Sequence, residues 1–314
     1  MIIQGISKIE KYQFYLDKSI RATEKKARIT RNSLKGTRAE RSIRMEKGKI
    51  RDLAALTASD LESIEKAFPT IDNLPLFYQE LIDVTIGKNK LKKSIAGLGW
   101  LRKRILTLGK EYSGKVAANP NKARKEFLGR LSSMFKKVKK DFDFLEESRK
   151  NIRNFPSFKT GLRTACIAGF PNVGKSTLLT KLTSATPEIN VYPFTTKGLM
   201  VGYIGKKVQI IDTPGAFRQD VKKMNIIEKQ AFLALKYLCS TIIFVIDSTE
   251  SCGYTISQQE EMLEFILKKI QKETLIYLSK TDLPNNQKEE VRKKYSNFEV
   301  FENSIALKKR LKRG

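Results

Sequence analysis

The run Gly169-Phe-Pro-Asn-Val-Gly174-Lys175-Ser176 sets two glycines, a lysine and a hydroxyl at the spacing of a phosphate-binding loop. In such a loop backbone N–H groups turn inward around a phosphate, and the helix that follows adds the positive end of its dipole. Lys175 is placed to reach β- and γ-phosphates, and the Ser176 hydroxyl to ligate Mg²⁺. Gly169, Phe170, Pro171, Asn172, Val173, Gly174, Lys175, Ser176 and Thr177 are therefore expected to line the phosphates. Asp212-Thr-Pro-Gly215 closes the apolar run that starts at Val208. A carboxylate at the C-terminal end of a strand lies where ligands of α/β sheets bind. Asp212 is expected to hold the Mg²⁺ water shell, and the Gly215 N–H to sense a γ-phosphate. Tyr192-Pro-Phe-Thr-Thr-Lys-Gly198 supplies two more hydroxyls, Thr195 and Thr196, either of which could complete the metal shell. After a further apolar run come Ser279-Lys280-Thr281-Asp282, a variant of the Asn/Thr-Lys-x-Asp pattern that reads guanine. Asp282 can accept from the guanine N1–H and exocyclic amine, while the Lys280 stem covers the ring. Ser279 stands where asparagine is usual and offers less to the base and the loop. The expected ligand is GTP or GDP with Mg²⁺, and the expected chemistry is phosphoryl transfer, which rests on positioning and electrostatics. Ala216 follows Gly215 where many GTPases place a glutamine that orients water. No histidine is available to replace it, so hydrolysis is expected to be slow.

These motifs need strands and helices to hold them. Past Asn154-Phe-Pro156 the chain alternates short apolar runs with helical stretches, the pattern of a parallel α/β sheet. The strands expected are Thr164–Ala168, Gly198–Ile204, Lys207–Ile211, Ile242–Asp247, Thr274–Leu278 and Phe298–Phe301. Helices are expected at Lys175–Ser184, Ile226–Leu238, Ser257–Lys272 and Gln287–Tyr295. The first half reads as helices, with hardly a breaker between Phe14 and Lys49, a helix start at Thr57-Ala-Ser-Asp60 and another at Leu74-Pro75. Phe127, Leu128, Leu131, Met134, Phe135, Val138, Phe142 and Leu145 recur at the spacing of one long amphipathic helix facing a bundle core. Trp100 is read as a packing residue, with stacking on a base as the alternative. The expected architecture is an α-helical N-terminal bundle (1–160) followed by an α/β P-loop GTPase domain (161–314).

Composition narrows the class. The 314 residues carry 61 Lys+Arg against 33 Asp+Glu, no histidine and three cysteines. Residues 1–160 hold 37 of the basic and 18 of the acidic groups, an excess suited to a phosphate polyanion such as RNA. Without histidine, Ser-His and Cys-His catalysis are excluded. An odd, unpaired set of cysteines argues against a disulfide framework, and they are expected in the core of a protein from a reducing compartment. The longest strongly apolar run, Thr241–Ile246, is far short of a membrane span, and no secretory leader is expected.

With its elements in this order, the second half resembles the Obg-related GTPases, and more closely the nucleolar GTP-binding protein family in its shorter archaeal form. The resemblance runs from Gly169–Leu179 through Leu182-Thr-Ser-Ala185, Pro187-Glu-Ile189 and Tyr192–Gly198. It continues in Gln209–Gly215, Asn225–Ala231 and Glu250-Ser-Cys-Gly-Tyr254. It implies a slow GTPase switch in large ribosomal subunit assembly, in contact with rRNA and with large-subunit precursor proteins. Such a protein would be cytoplasmic (nucleolar in a eukaryote), unattached to membrane and monomeric off the ribosome. A non-hydrolysing RNA-binding factor that uses the nucleotide as a structural or sensing ligand stays open as the alternative. A transporter's G domain would need a membrane segment. The family's last guanine-contacting loop corresponds to Asn303-Ser304-Ile305-Ala306, which makes Ser304 a candidate. Asn172 sits where some related GTPases hold K⁺ beside the β- and γ-phosphates, with further ligands from backbone carbonyls near Tyr192–Thr196, a segment ordered when Thr196 or Thr195 binds Mg²⁺; stabilisation of the loop by the Asn172 amide is the alternative.

Overall fold

In a computed structural model of the chain, residues 5–156, 158–159, 161–183, 188–190, 199–215, 221–283 and 287–313 are described. Eleven α-helices are formed among them: α1 (Tyr12–Thr30), α2 (Arg38–Ala67), α3 (Leu76–Thr85), α4 (Lys88–Lys115), α5 (Pro120–Lys137), α6 (Lys139–Arg153), α7 (Lys175–Leu182), α8 (Ile226–Tyr237), α9 (Ile256–Ile270), α10 (Lys288–Lys294) and α11 (Ser304–Arg313). The strands are β1 (Arg163–Ala168), β2 (Glu188–Asn190), β3 (Leu199–Ile204), β4 (Val208–Asp212), β5 (Thr241–Asp247), β6 (Glu273–Ser279) and β7 (Val300–Phe301). The chain divides into two compact units, 1–73 with 86–153, and 74–85 with 154–314.

The first unit is a helical bundle. Leu61, Leu98, Leu101, Ile105, Phe127, Leu131, Phe135 and Leu145 are fully buried in it. Phe142 lies 5.5 Å from Tyr15 and 6.1 Å from Phe135, ring centre to ring centre. Four expectations change here. The stretch without breakers is cut at Arg31–Gly36, and α2 restarts on a capping box in which Thr37 and Glu40 satisfy each other's backbone N–H groups. No helix starts at Thr57: α2 runs straight through, because the Thr57 hydroxyl bonds back to Leu53 O at 2.7 Å and Asp60 pairs with Lys18. Apart from half-buried Leu128, the long apolar stripe is buried as expected, but it is broken at Val138 into α5 and α6. Asn119 caps α5 by accepting from Lys122 N, with Pro120 at the first turn. Trp100 is 50% exposed on α4 and is no core residue.

The second unit is one seven-stranded sheet in the order β2-β3-β4-β1-β5-β6-β7. β4, β1, β5, β6 and β7 run parallel. β3 is antiparallel to β4 and to β2, a departure from the all-parallel expectation. The cause is local: only Gly205–Lys207 separate β3 from β4, too short for a crossover, and Gly205 takes φ +59° in the turn. Helix α8 begins on the Asn225–Glu228 capping box that the sequence indicates. Its far end is held by Lys272 Nζ, which donates to Leu235 O and Lys236 O. Phe77, Leu81 and Ile82 of α3 are buried in this unit, and the Tyr78 hydroxyl donates to Pro156 O at 2.8 Å. The three cysteines are free and buried. Among the described residues no helix is long and apolar enough to cross a membrane.

Candidate nucleotide site

Because five strands run parallel, the loops after β1, β4, β5, β6 and β7 all leave the same edge of the sheet. That edge gathers the sequence motifs. After β1, Gly169 takes φ +144° and a side chain there would meet Val245 O at 2.7 Å, so only glycine lets the loop turn so close to β5. Asn172 and Gly174 are also left-handed, at φ +61° and +96°, which turns the loop into the N-terminus of α7. Lys175 is buried and its Nζ donates to Phe170 O at 2.6 Å, folded back over the loop it serves. Gly215 is pressed against the same loop, where a Cβ would lie 2.6 Å from both Pro171 N and Lys175 Nζ. The Gly215 backbone therefore abuts the phosphate loop directly. Thr213 fixes this approach by donating through its N–H and its hydroxyl to Ile167 O.

Asp212, at the end of β4, accepts from Ser176 Oγ at 2.6 Å. It is 7% exposed, and its second oxygen, Oδ1, is buried with no hydrogen-bond partner. Burial raises its pKa above the ordinary carboxylate value, against the Ser176 hydrogen bond and the positive charge of Lys175. A buried carboxylate with one orphan oxygen beside a serine hydroxyl is a hard, all-oxygen donor pair. It fits Mg²⁺, which takes one or two protein ligands and fills its shell from phosphates and water. The described residues hold no group of three or more His, Cys, Asp or Glu side chains that could cage a metal alone.

The Ser279–Asp282 loop, the expected base reader, follows β6. Ser279 is buried and donates to Ile246 O at 3.2 Å, and its Cβ is 3.8 Å from where a Cβ on Gly174 would lie, so this loop and the phosphate loop are neighbours. Lys280 takes φ +53°. Its Nζ donates to Asp247 Oδ2 at 2.8 Å and to Ser251 Oγ at 2.9 Å. The Asp247 carboxylate is fully buried at the end of β5 and also accepts from Thr249 N, Thr249 Oγ1 and Cys252 N. Its burial opposes ionisation, yet the Lys280 and Thr249 hydrogen bonds hold its pKa below the ordinary value. The loop it organises ends at Tyr254, whose ring lies 4.2 Å from that of Phe170. Asp247, Ser251 and Tyr254 belong to no phosphate or base motif, and only the Glu250–Tyr254 run points toward them. The signal lay in the register: β5 and β6 pair Asp247 with Ser279.

The remaining candidates are placed less tightly. Thr177 is exposed on α7, and Asp282 is exposed in the turn after Lys280. Ser304 opens α11, just past the end of β7, which pairs with β6; it thus stands on the motif-bearing edge. Thr195 and Thr196 lie outside the described residues.

Residues 6–159 match the NOG1 N-terminal helical domain and residues 164–280 the 50S ribosome-binding GTPase domain. An uncharacterized protein of Methanocaldococcus jannaschii is 41% identical over 249 residues, covering 78% of this chain and 71% of that one. Nucleolar GTP-binding protein 1 of Saccharomyces cerevisiae is 32% identical over 231 residues, 71% of this chain but only 36% of the yeast protein. A Plasmodium falciparum crystal structure described as a candidate nucleolar GTP-binding protein 1 is 27% identical, covers 47% of this chain and 78% of its own, and has a TM-score of 0.37. With both domain matches in this order, and with sequence identity running through them, the chain belongs to the nucleolar GTP-binding protein 1 family, a helical N-terminal domain followed by a GTPase domain.

Proposed function

We propose that the protein binds GTP and GDP and hydrolyses GTP slowly, as a switch in assembly of the large ribosomal subunit. Its basic helical unit would contact rRNA and large-subunit precursor proteins. It would work as a monomer off the ribosome, in the cytoplasm or, in a eukaryote, the nucleolus. The observation that carries the nucleotide reading is the joining of Ser176 to Asp212 beneath a loop on which Lys175 and Gly215 converge. The ribosomal reading draws on the names of the relatives and on the excess of positive charge in residues 1–160. Kinship with the Obg-related GTPases rests on the motifs alone.

Bound through Ser176 and Asp212, Mg²⁺ would neutralise charge on the phosphate oxygens. Lys175 would swing from Phe170 O to the β- and γ-phosphates, and the Gly215 N–H would bond the γ-phosphate. Nothing at position 216 orients water, which keeps the intrinsic rate low. K⁺ beside Asn172 would supply the charge that an arginine finger brings elsewhere. In support, the Asn172 side chain is exposed and makes no hydrogen bond among the described residues.

The test is phosphate release from GTP by the full chain in K⁺ and in Na⁺ at matched ionic strength, with ATP as competitor and Lys175→Ala as the blank. Slow release, faster in K⁺, is expected, with the K⁺ effect lost in Asn172→Ala. Binding of GTP without release under either cation would instead establish the alternative, a non-hydrolysing RNA-binding factor with a structural nucleotide. Equal competition by ATP would overturn the guanine reading.

A further inference from the structure

Between α1 and α2 lies a cleft of about 660 Å³, inside the about 300–1,000 Å³ range of small-ligand pockets. Its rim carries Arg28, Arg31, Arg38 and Arg41, all exposed, and none makes an ion pair or a side-chain hydrogen bond among the described residues. The carboxylates of Glu24 and Glu46 line it as well. Their charge is already answered: Arg124 of α5 pairs with Glu24, and Lys49 Nζ lies 3.0 Å from Glu46 Oε1. The positive charge of the rim is therefore surplus. Glu46 is 8% exposed and its Oε2 accepts no hydrogen bond, the Arg124 Nε at 3.4 Å being an ion-pair contact only.

A ligand that suits this cleft has to meet two demands at once. Four unpaired guanidinium groups at the rim call for phosphate, which they bind in a planar, bidentate way. Deeper in, the cleft is lined by the paired Glu24 and Glu46 carboxylates and offers no surplus positive charge, so it suits an uncharged group rather than a second phosphate. A nucleotide meets both, with its phosphates outside and its base within. The half-buried Leu34 and Met45 side chains give the base an apolar wall. RNA offers such bases where they are unpaired and splayed from a helix.

We propose that the α1–α2 cleft seats one unpaired RNA nucleotide. The rim arginines hold its flanking phosphates, and Leu34 and Met45 pack against its base. This rests on the RNA reading given above.

The test uses the full chain and two RNA hairpins, identical except that one carries a single bulged nucleotide. The bulged hairpin is expected to bind about tenfold more tightly, the scale of one well-held base. Arg31→Glu with Arg38→Glu should remove that preference and lower the slope of log affinity against log salt by about two. Lys103→Glu with Lys110→Glu, an equal reversal on α4, should weaken both hairpins and leave the preference standing. Thermal melting checks that each variant is folded. Equal binding of the two hairpins by the unaltered protein, or a preference that survives in the arginine variant, overturns the cleft while leaving RNA binding intact. Failure to bind either hairpin at low salt overturns the RNA reading itself.

Discussion

Asp212 is a residue at which stability and chemistry pull in opposite directions. Burial penalises its ionised form and raises its pKa, yet a metal ligand has to be ionised. Asp212→Asn keeps the shape and an acceptor for Ser176 while removing the buried charge. We expect the variant to raise the melting temperature of the free protein by about 2–4 °C, the shift that about 1 kcal/mol gives in a unit of this size. It should abolish the Mg²⁺-dependent part of GTP affinity. The sign with pH follows from the raised folded pKa: the penalty on the ionised form develops as pH rises above the unfolded carboxylate value, so the gap between variant and wild type should close in acid. A melting temperature that falls at neutral pH would mean that the carboxylate stabilises the free protein. At this scale the site was largely legible. The phosphate loop and Asp-Thr-Pro-Gly are local spacings whose chemistry needs no distant partner, whereas Asp212's orphan oxygen could be seen only in three dimensions.

Elements explain what the residues alone did not reveal. Asp247 and Lys280 are 33 positions apart and meet because β5 and β6 are adjacent and in register. No periodicity encodes that pairing. The same loop carries Tyr254 to Phe170, so one β5 carboxylate connects the base loop with the phosphate loop. Ser279 Oγ, by contrast, donates back to Ile246 O of β5. Asp247→Asn places an amide against the Lys280 ammonium and the Cys252 N–H, which share one oxygen. Loss of about 1–3 kcal/mol of stability is expected. GDP dissociation should quicken about tenfold, measured at a temperature where the variant is folded. Because hydrogen bonds depress the wild-type pKa, this stabilisation is present above about pH 4 and is lost as pH falls through the folded value. Destabilisation with an unchanged GDP off-rate would confine Asp247 to a structural role. Helix boundaries show the same limit: Thr57's back-bond carries α2 past an apparent start, and nothing in the apolar stripe announced the break at Val138.

For the whole molecule, the compact units and the linear domains differ chiefly in one element. Residues 74–85 lie between two bundle helices in sequence, yet they group with residues 154–314. The apolar spacing of α3 reveals that one of its faces is buried but not against which partner, so this exchange was invisible in the sequence. Phe77, Leu81 and Ile82 are 2%, 0% and 0% exposed. Each such side chain contributes about 1.5–3 kcal/mol by burial, a large share of the about 5–15 kcal/mol that holds a domain together. Stability of the GTPase unit should therefore depend on a residue that lies, by number, in the helical half. Leu81→Ala in the full chain is expected to cost about 2–5 kcal/mol. In a unit of this size that lowers its melting temperature by about 5–15 °C. Calorimetry can tell which unit responds, because bound GDP raises the melting of the unit that holds it and leaves the other unmoved. The GDP-sensitive transition should be the one that falls, with the bundle's transition unchanged. If the GDP-insensitive transition moves instead, α3 is stabilised by the bundle and the units divide as they do in the sequence.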